Sequence, residues 1–299
     1  MRVKPPVLPP RRLLFSGGGV RVISYLGAIQ VLQEHNVLKS VREFCGVSAG
    51  ALVALLLALE YPLHVIERFC YEFDFSTMHS FEPESLLESV EHFGLDSGES
   101  IKTLLRKILH HKGFGPNTTF EELHVSGRAK RLRLWASDIQ YMRLVEFSAK
   151  ATPTMPIVVA IYASMALPMY FTPVQHPETK TLLLDGGMLD NYPLCSLTEE
   201  EIKETLGFTF QHKSFPIPVQ DFSSIFSLLF SGYYMPAYQR QIQQYKYQTI
   251  VLKCQEFPST KFETTPEERQ MLVSVGRQAT EAFLQEPIQP LCKRRASVS

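Results

Sequence analysis

Residues 44–51 read FCGVSAGA: an apolar stretch ends on a glycine, one serine stands between two glycines, and a second apolar run, ALVALLLAL at 51–59, follows at once. Residues 46–50 fit G-x-S-x-G, in which glycines relieve the crowding of a sharp strand-to-helix turn and lift the serine hydroxyl to the edge of a sheet. Glycine and serine also build ordinary turns, so the pentapeptide alone leaves two readings open, turn and nucleophile. Its surroundings favour the nucleophile. A strand is expected at 41–46 and a helix from Ala49 to about Leu59, whose first turn would offer the Ala49 amide and a favourable dipole to a developing oxyanion.

Upstream, a strand expected at 11–16 (RRLLFS) runs into glycines 17–19 and then a helical pattern from Arg21 to about His35. Three consecutive glycines let backbone N–H groups converge on one anionic point with no side chain in the way. A nucleotide site fits poorly, because Val22 stands where G-x-G-x-x-G needs a small residue and no G-K-S/T follows. Downstream, LLLDGGMLDNYP at 182–193 is an apolar strand ending on Asp185 before two glycines. Such an aspartate starts many turns. In combination with Ser48 it is also a candidate base, since a carboxylate at a strand end, partly desolvated so that its pKa rises, can take a hydroxyl proton.

The order GGGVR, GVSAG, DGG resembles the patatin-like phospholipase family, with further likeness in GLDSGESIKTLLRKIL at 94–109, TTFEEL at 118–123 and AIYASMALPMYFTPV at 160–174. The resemblance covers about residues 11–210. It implies that Ser48 is the acylated nucleophile and Asp185 the only general base, without a histidine. It also implies that Gly17, Gly18 and Gly19, joined by the Ala49 amide, receive the oxyanion. Arg21 matches the basic residue that closes the glycine loop, and three readings stay open for it: fixing that loop, attracting an anionic head group, or standing as an exposed arginine at a helix start. Asn191 and Pro193 match the segment after D-G-G and are read as structural support. The implied substrates are phospholipids or lysophospholipids, with neutral acylglycerols also admissible, and the implied cofactor requirement is none.

Composition sets the frame. With 299 residues, 45% of them hydrophobic, the chain can bury a large core. Thirty basic and thirty acidic side chains cancel, so no overall field recruits nucleic acid or an anionic membrane. Five scattered cysteines in no ligand spacing argue for a reducing compartment and against a metal. MRVKPPVLPPRR lacks the apolar core of a secretory signal, and the longest apolar runs fall short of the roughly 20 residues that span a bilayer. The expected location is cytoplasmic, with transient peripheral contact at membranes; the oligomeric state is left open.

Strands alternating with helices predict an α/β fold: a mostly parallel central sheet sandwiched by helices, the three-layer architecture of the resembled family. The expected organisation is an extended leader at 1–10, a catalytic domain at 11–286 with its motifs in 11–210 and a variable part at 211–286, and a flexible tail at 287–299. Two other readings stay in view. An α/β-hydrolase triad would run Ser48, Asp185, His212, although only two strand candidates precede Ser48 where that fold builds several. A catalytically silent lipid-binding module on the same fold is the other. Finally, DFSSIFSLLFSGYYMPAY at 221–238 is rich in aromatic and aliphatic residues and carries no charge after Asp221, and on a helix Phe222 and Phe226 share a face. That face either packs in the core or touches substrate chains and the membrane interface.

Overall fold

The structure, a computed structural model, describes residues 9–73, 93–211, 238–254, 257–258, 261 and 263–285. The expected leader (apart from its last two residues), tail, His212, Phe222 and Phe226 lie outside the described residues.

The chain runs through β1 (Arg12–Phe15), α1 (Ser24–Glu34), β2 (Glu43–Val47), α2 (Ala49–Ala58), α3 (Leu63–Glu72), β3 (Gly94–Asp96), α4 (Glu99–His111) and α5 (Phe120–Val125). It continues with β4 (Arg131–Asp138), β5 (Arg143–Ser148), α6 (Ile157–Met165), β6 (Met169–Phe171), β7 (Val174–Gln175) and β8 (Leu182–Asp185). The remaining elements are α7 (Glu199–Lys203), β9 (Thr205–Phe210), β10 (Thr249–Leu252) and α8 (Pro266–Gln285). Most expected elements stand within a residue or two of their places. Helix α1 starts three residues later than its apolar pattern suggested, because the glycine loop continues into a 3-10 turn at Gly19–Ile23. Of the two threonines before FEEL, Thr119 is the cap: its side chain accepts from the Glu122 amide, and the Glu122 carboxylate accepts from the Thr119 amide.

Strands β10, β9, β1, β2 and β4 pair side by side, all parallel. Strands β5, β8 and β7 join antiparallel. Successive residues of each strand face opposite layers. Leu13, Phe15, Phe44, Leu132 and Leu134 therefore enter the large core shared with α1, α2, α4, α6 and α8. Leu14, Cys45, Val47 and Trp135 enter a smaller core closed by Tyr192, Leu194, Leu197, Ile202 and Tyr238. The mostly parallel, helix-covered sheet expected from the sequence is what the chain builds.

The pairing at β4 positions everything that follows. Residues 133–135 pair with both β2 and β5, and residues 136–138 with both β5 and β8. A strand residue has only two edges, so β2 and β8 must occupy the same edge of β4. They run toward each other along it and stop at adjacent rungs, Val47 opposite Trp135 and Asp185 opposite Ala136.

The starts of β1, β2 and β4 carry a charged cluster at the other end of the sheet. The Glu43 carboxylate, almost wholly buried, accepts from Arg12 and pairs with Arg133 at 3.2 Å, while Arg133 also reaches Glu201 at 2.8 Å. Removing the central anion would leave two guanidinium groups with little water and one fewer partner. Glu43→Ala is expected to lower the unfolding free energy by about 3–5 kcal/mol, measured by urea titration. A loss below about 1 kcal/mol, the range of exposed pairs, would show the cluster contributes little.

Candidate active site

Ser48 sits between β2 and α2 with φ 53° and ψ −132°, a backbone conformation that a non-glycine residue adopts only when its surroundings hold it. The two flanking glycines explain how so tight a turn packs. A Cβ on Gly46 would lie 2.3 Å from the Gly50 carbonyl oxygen, and one on Gly50 would lie 2.4 Å from that of Phe15. Any larger residue at either place would push the turn open. The Ser48 amide donates to Ser164 Oγ at 2.9 Å, and Ser164 Oγ donates to the Trp135 carbonyl at 2.6 Å.

Asp185 ends β8, and its amide donates to the Ala166 carbonyl at 2.8 Å. Ser48 Oγ donates to Asp185 Oδ2 at 2.5 Å, and the Gly187 amide donates to Oδ1 at 2.7 Å. The two side chains singled out in the sequence, 137 positions apart, are therefore in direct contact. Asp185 is 2% exposed, and burial raises its pKa from 3.8 to about 7 even though the Ser48 and Gly187 hydrogen bonds pull the other way. Both carboxylate oxygens are engaged without a histidine. Among the described residues His35, His64, His110, His111 and His124 are exposed, and the buried ring of His176 accepts from the Glu178 and Thr179 amides.

The glycine loop lies directly on the serine. A Cβ on Gly17 would come within 2.8 Å of Ser48 Cβ, so this close approach admits no side chain. The loop's carbonyls are held by side chains: Asn191 Nδ2 donates to Gly17 O at 2.9 Å, and Arg21 Nε donates to Gly18 O at 3.2 Å. The Arg21 guanidinium also lies 4.9 Å from the Phe210 ring centroid, so Arg21 and Asn191 brace the loop from two directions. Gly19 opens a 3-10 turn and Ala49 opens α2, positions whose amides have no partner inside their own helix. Ser48, Ala49 and Gly19 are half-buried, whereas Asp185 is covered. The arrangement joins a half-buried hydroxyl, a covered carboxylate in contact with it and a glycine loop packed against it.

Sequence reasoning passed over Ser164 and the carbonyls of Trp135 and Ala166. A faint signal existed for the first: Ser164 stands among apolar residues in IVVAIYASM, with Tyr162 the other hydroxyl-bearing side chain, and a serine buried in an apolar helix must find a partner. Nothing in the sequence marks a backbone carbonyl.

Comparison with known proteins bears on the family and the fold. The family model described as patatin-like phospholipase matches residues 13–197, more than half of the chain. The Bacillus subtilis (strain 168) protein YqhO is 28% identical over 292 residues, which cover 91% of this chain and 97% of that one. A probable lipid hydrolase, 463L of invertebrate iridescent virus 6, is 26% identical over 184 residues, 62% of each chain. Among solved structures, VipD from Legionella pneumophila superposes with a TM-score of 0.64 at 19% identity, covering 94% of this chain and 67% of VipD. The type III effector ExoU of Pseudomonas aeruginosa gives 0.56 at 22% identity, over 95% of this chain and 53% of that one. At such identities the two structures speak to the fold.

The raised pKa of Asp185 ties stability to pH. Between about pH 4 and 7 the folded chain keeps a proton that the unfolded chain releases, so the burial penalty is absent below about 4 and complete above about 7. Asp185→Asn is therefore expected to raise the melting temperature at pH 8, with the gain shrinking as the pH falls toward 4. A gain that does not vary with pH would contradict a raised pKa.

Proposed function

The chain belongs to the patatin-like phospholipase family, and from that premise we propose that it hydrolyses fatty-acyl esters of membrane lipids through a Ser48/Asp185 dyad. The observation that carries this reading is the 2.5 Å contact between Ser48 Oγ and Asp185 Oδ2, with the carboxylate fixed on its other side by Gly187.

In the proposed reaction Ser48 Oγ attacks the ester carbonyl while its proton passes to Asp185. The carbonyl oxygen becomes an oxyanion, received by the amides of the 17–19 loop and of Ala49. As the tetrahedral intermediate collapses, the bond to the alcohol breaks and Asp185 returns the proton to that oxygen, leaving an acyl-enzyme. Water then attacks the acyl group, giving its proton to Asp185, and Ser48 regains a proton as the fatty acid leaves. A base with a pKa of about 7 suits both halves of this cycle, since it can hold and release a proton near neutral pH. No metal enters any step.

Membership of a lipid-hydrolase family supports an acyl-lipid substrate, and phospholipids or lysophospholipids are the class proposed. Transient contact with a membrane surface accompanies that reading, because such esters reside in bilayers. No described helix is long and apolar enough to cross a membrane. The contribution proposed for Phe222 and Phe226 to chain binding falls in the 221–238 segment. Arg21, through its hold on Gly18, is proposed to serve substrate by keeping the loop's amides in place.

Product analysis on phospholipid vesicles should show fatty-acid release by the parent chain and none by Ser48→Ala, and a fluorophosphonate should label the parent alone. Equal labelling of Ser48→Ala would exclude Ser48 as nucleophile. Asp185→Asn is expected to lower kcat/KM by roughly 10²–10⁴-fold. The base acts as a carboxylate, so kcat/KM should rise with pH through a midpoint at about 7; a midpoint near 4 would separate the acting base from the buried Asp185.

A further inference from the structure

The last turn of α6 holds the backbone of both candidate catalytic residues. Ser164, fully buried, takes the Ser48 amide on its hydroxyl oxygen at 2.9 Å, and two residues on the Ala166 carbonyl takes the Asp185 amide at 2.8 Å. These two bonds land on either side of the seam where β2 and β8 stop against β4. Ser164 also closes the seam itself, donating to the carbonyl of Trp135, the last β4 residue paired with β2. A hydroxyl carries one proton and two lone pairs, so it can accept from one strand and donate to the next at once. Ser164 Oγ is thus interposed between an amide and a carbonyl on neighbouring strands.

Without that hydroxyl the two backbone groups have two outcomes. They stay apart, each unpaired in a site screened from water, or they close on each other. Closing would carry β2 past Val47 and draw Ser48 out of its positive-φ turn toward ordinary strand geometry. Its side chain would then leave the Asp185 carboxylate.

We infer that Ser164 is a positioning residue: its hydroxyl stops β2 from pairing beyond Val47 and so holds Ser48 in the backbone conformation that aims Oγ at Asp185. The role rests on the reading of Ser48 and Asp185 as the dyad, but the backbone clamp itself exists whether or not a lipid is cleaved. Ala166 supplies the second jaw through a carbonyl, which no substitution at that position removes. Ser164 is the jaw that mutagenesis can reach.

The test compares Ser164→Ala, Ser164→Val and Ser164→Thr in the full chain, since Thr keeps the hydroxyl that Val lacks at nearly the same volume. Three readouts are taken: kcat and KM on phospholipid vesicles, the rate of fluorophosphonate labelling at Ser48, and amide hydrogen exchange over 44–51. Ser164→Ala and Ser164→Val are expected to lose at least about ten-fold in kcat and labelling rate with KM little changed, whereas Ser164→Thr stays within about three-fold of the parent. Exchange over 44–51 should quicken in Ala and Val and not in Thr. The midpoint of the pH profile should stay in place, because Ser164 does not touch the carboxylate. Parent-like rates and exchange in Ser164→Ala would overturn the proposal, as would equal losses in Thr and Val, which would assign the effect to volume. Where Ala and Val do not fold, Ser164→Cys, close in size but a weak donor and acceptor, serves in their place, and parent-like labelling and exchange there overturn it too. If the parent itself neither releases fatty acid nor reacts with the probe, the dyad reading fails, and exchange over 44–51 still decides whether the clamp exists.

Discussion

Two strands arriving head to head on one edge of β4 are the constraint from which the site follows. Strand β2 comes up the edge and ends at Val47, β8 comes down it and ends at Asp185, and their partners Trp135 and Ala136 are consecutive. Each chain must turn away at once, because the edge ahead is taken. The residue after one strand and the residue ending the other are thereby forced together. A 2.5 Å contact across 137 positions of sequence comes from strand register, and the glycines on either side provide the room to turn.

The same crowding sets the chemistry available. A carboxylate wedged between strand ends is deprived of water, and its pKa rises to about 7 although two hydrogen bonds favour the charged form. An aspartate so placed can act as a base near neutral pH, the range in which histidine ordinarily serves. The proposed dyad therefore needs no third residue to tune its base. The glycine loop obeys a matching logic: Asn191 and Arg21 occupy the carbonyls of Gly17 and Gly18, which fixes the loop without placing a side chain over the serine.

The two ends of the sheet divide the work. At the starts of β1, β2 and β4, buried charges neutralise one another around Glu43 and tie strands together. At the opposite end, where parallel strands finish, the glycine loop and one poorly solvated carboxylate lie against a half-buried hydroxyl. Open α/β sheets commonly place their chemistry at the carboxyl ends of strands, and the family membership assigns this chain to lipid hydrolases with that architecture.

Much of this was legible in the sequence. G-x-S-x-G between a strand pattern and an apolar helix, a glycine triplet after another strand, and an aspartate closing a third strand are local signals, because turn geometry is paid for by the residues that make the turn. They identified the α/β class and singled out Ser48, Asp185 and the glycine loop. The polar role of Ser164 within an apolar helix, the Gly17 carbonyl as the group that Asn191 supports, and the shared edge of β4 were not legible, since each depends on partners between 29 and 174 positions away. The sequence by itself determined which residues were candidates for reaction and which turns carried them. Only the tertiary structure decided that hydroxyl and carboxylate meet, because strand register and the dryness around Asp185 are properties of packing between distant segments, and no local pattern encodes them.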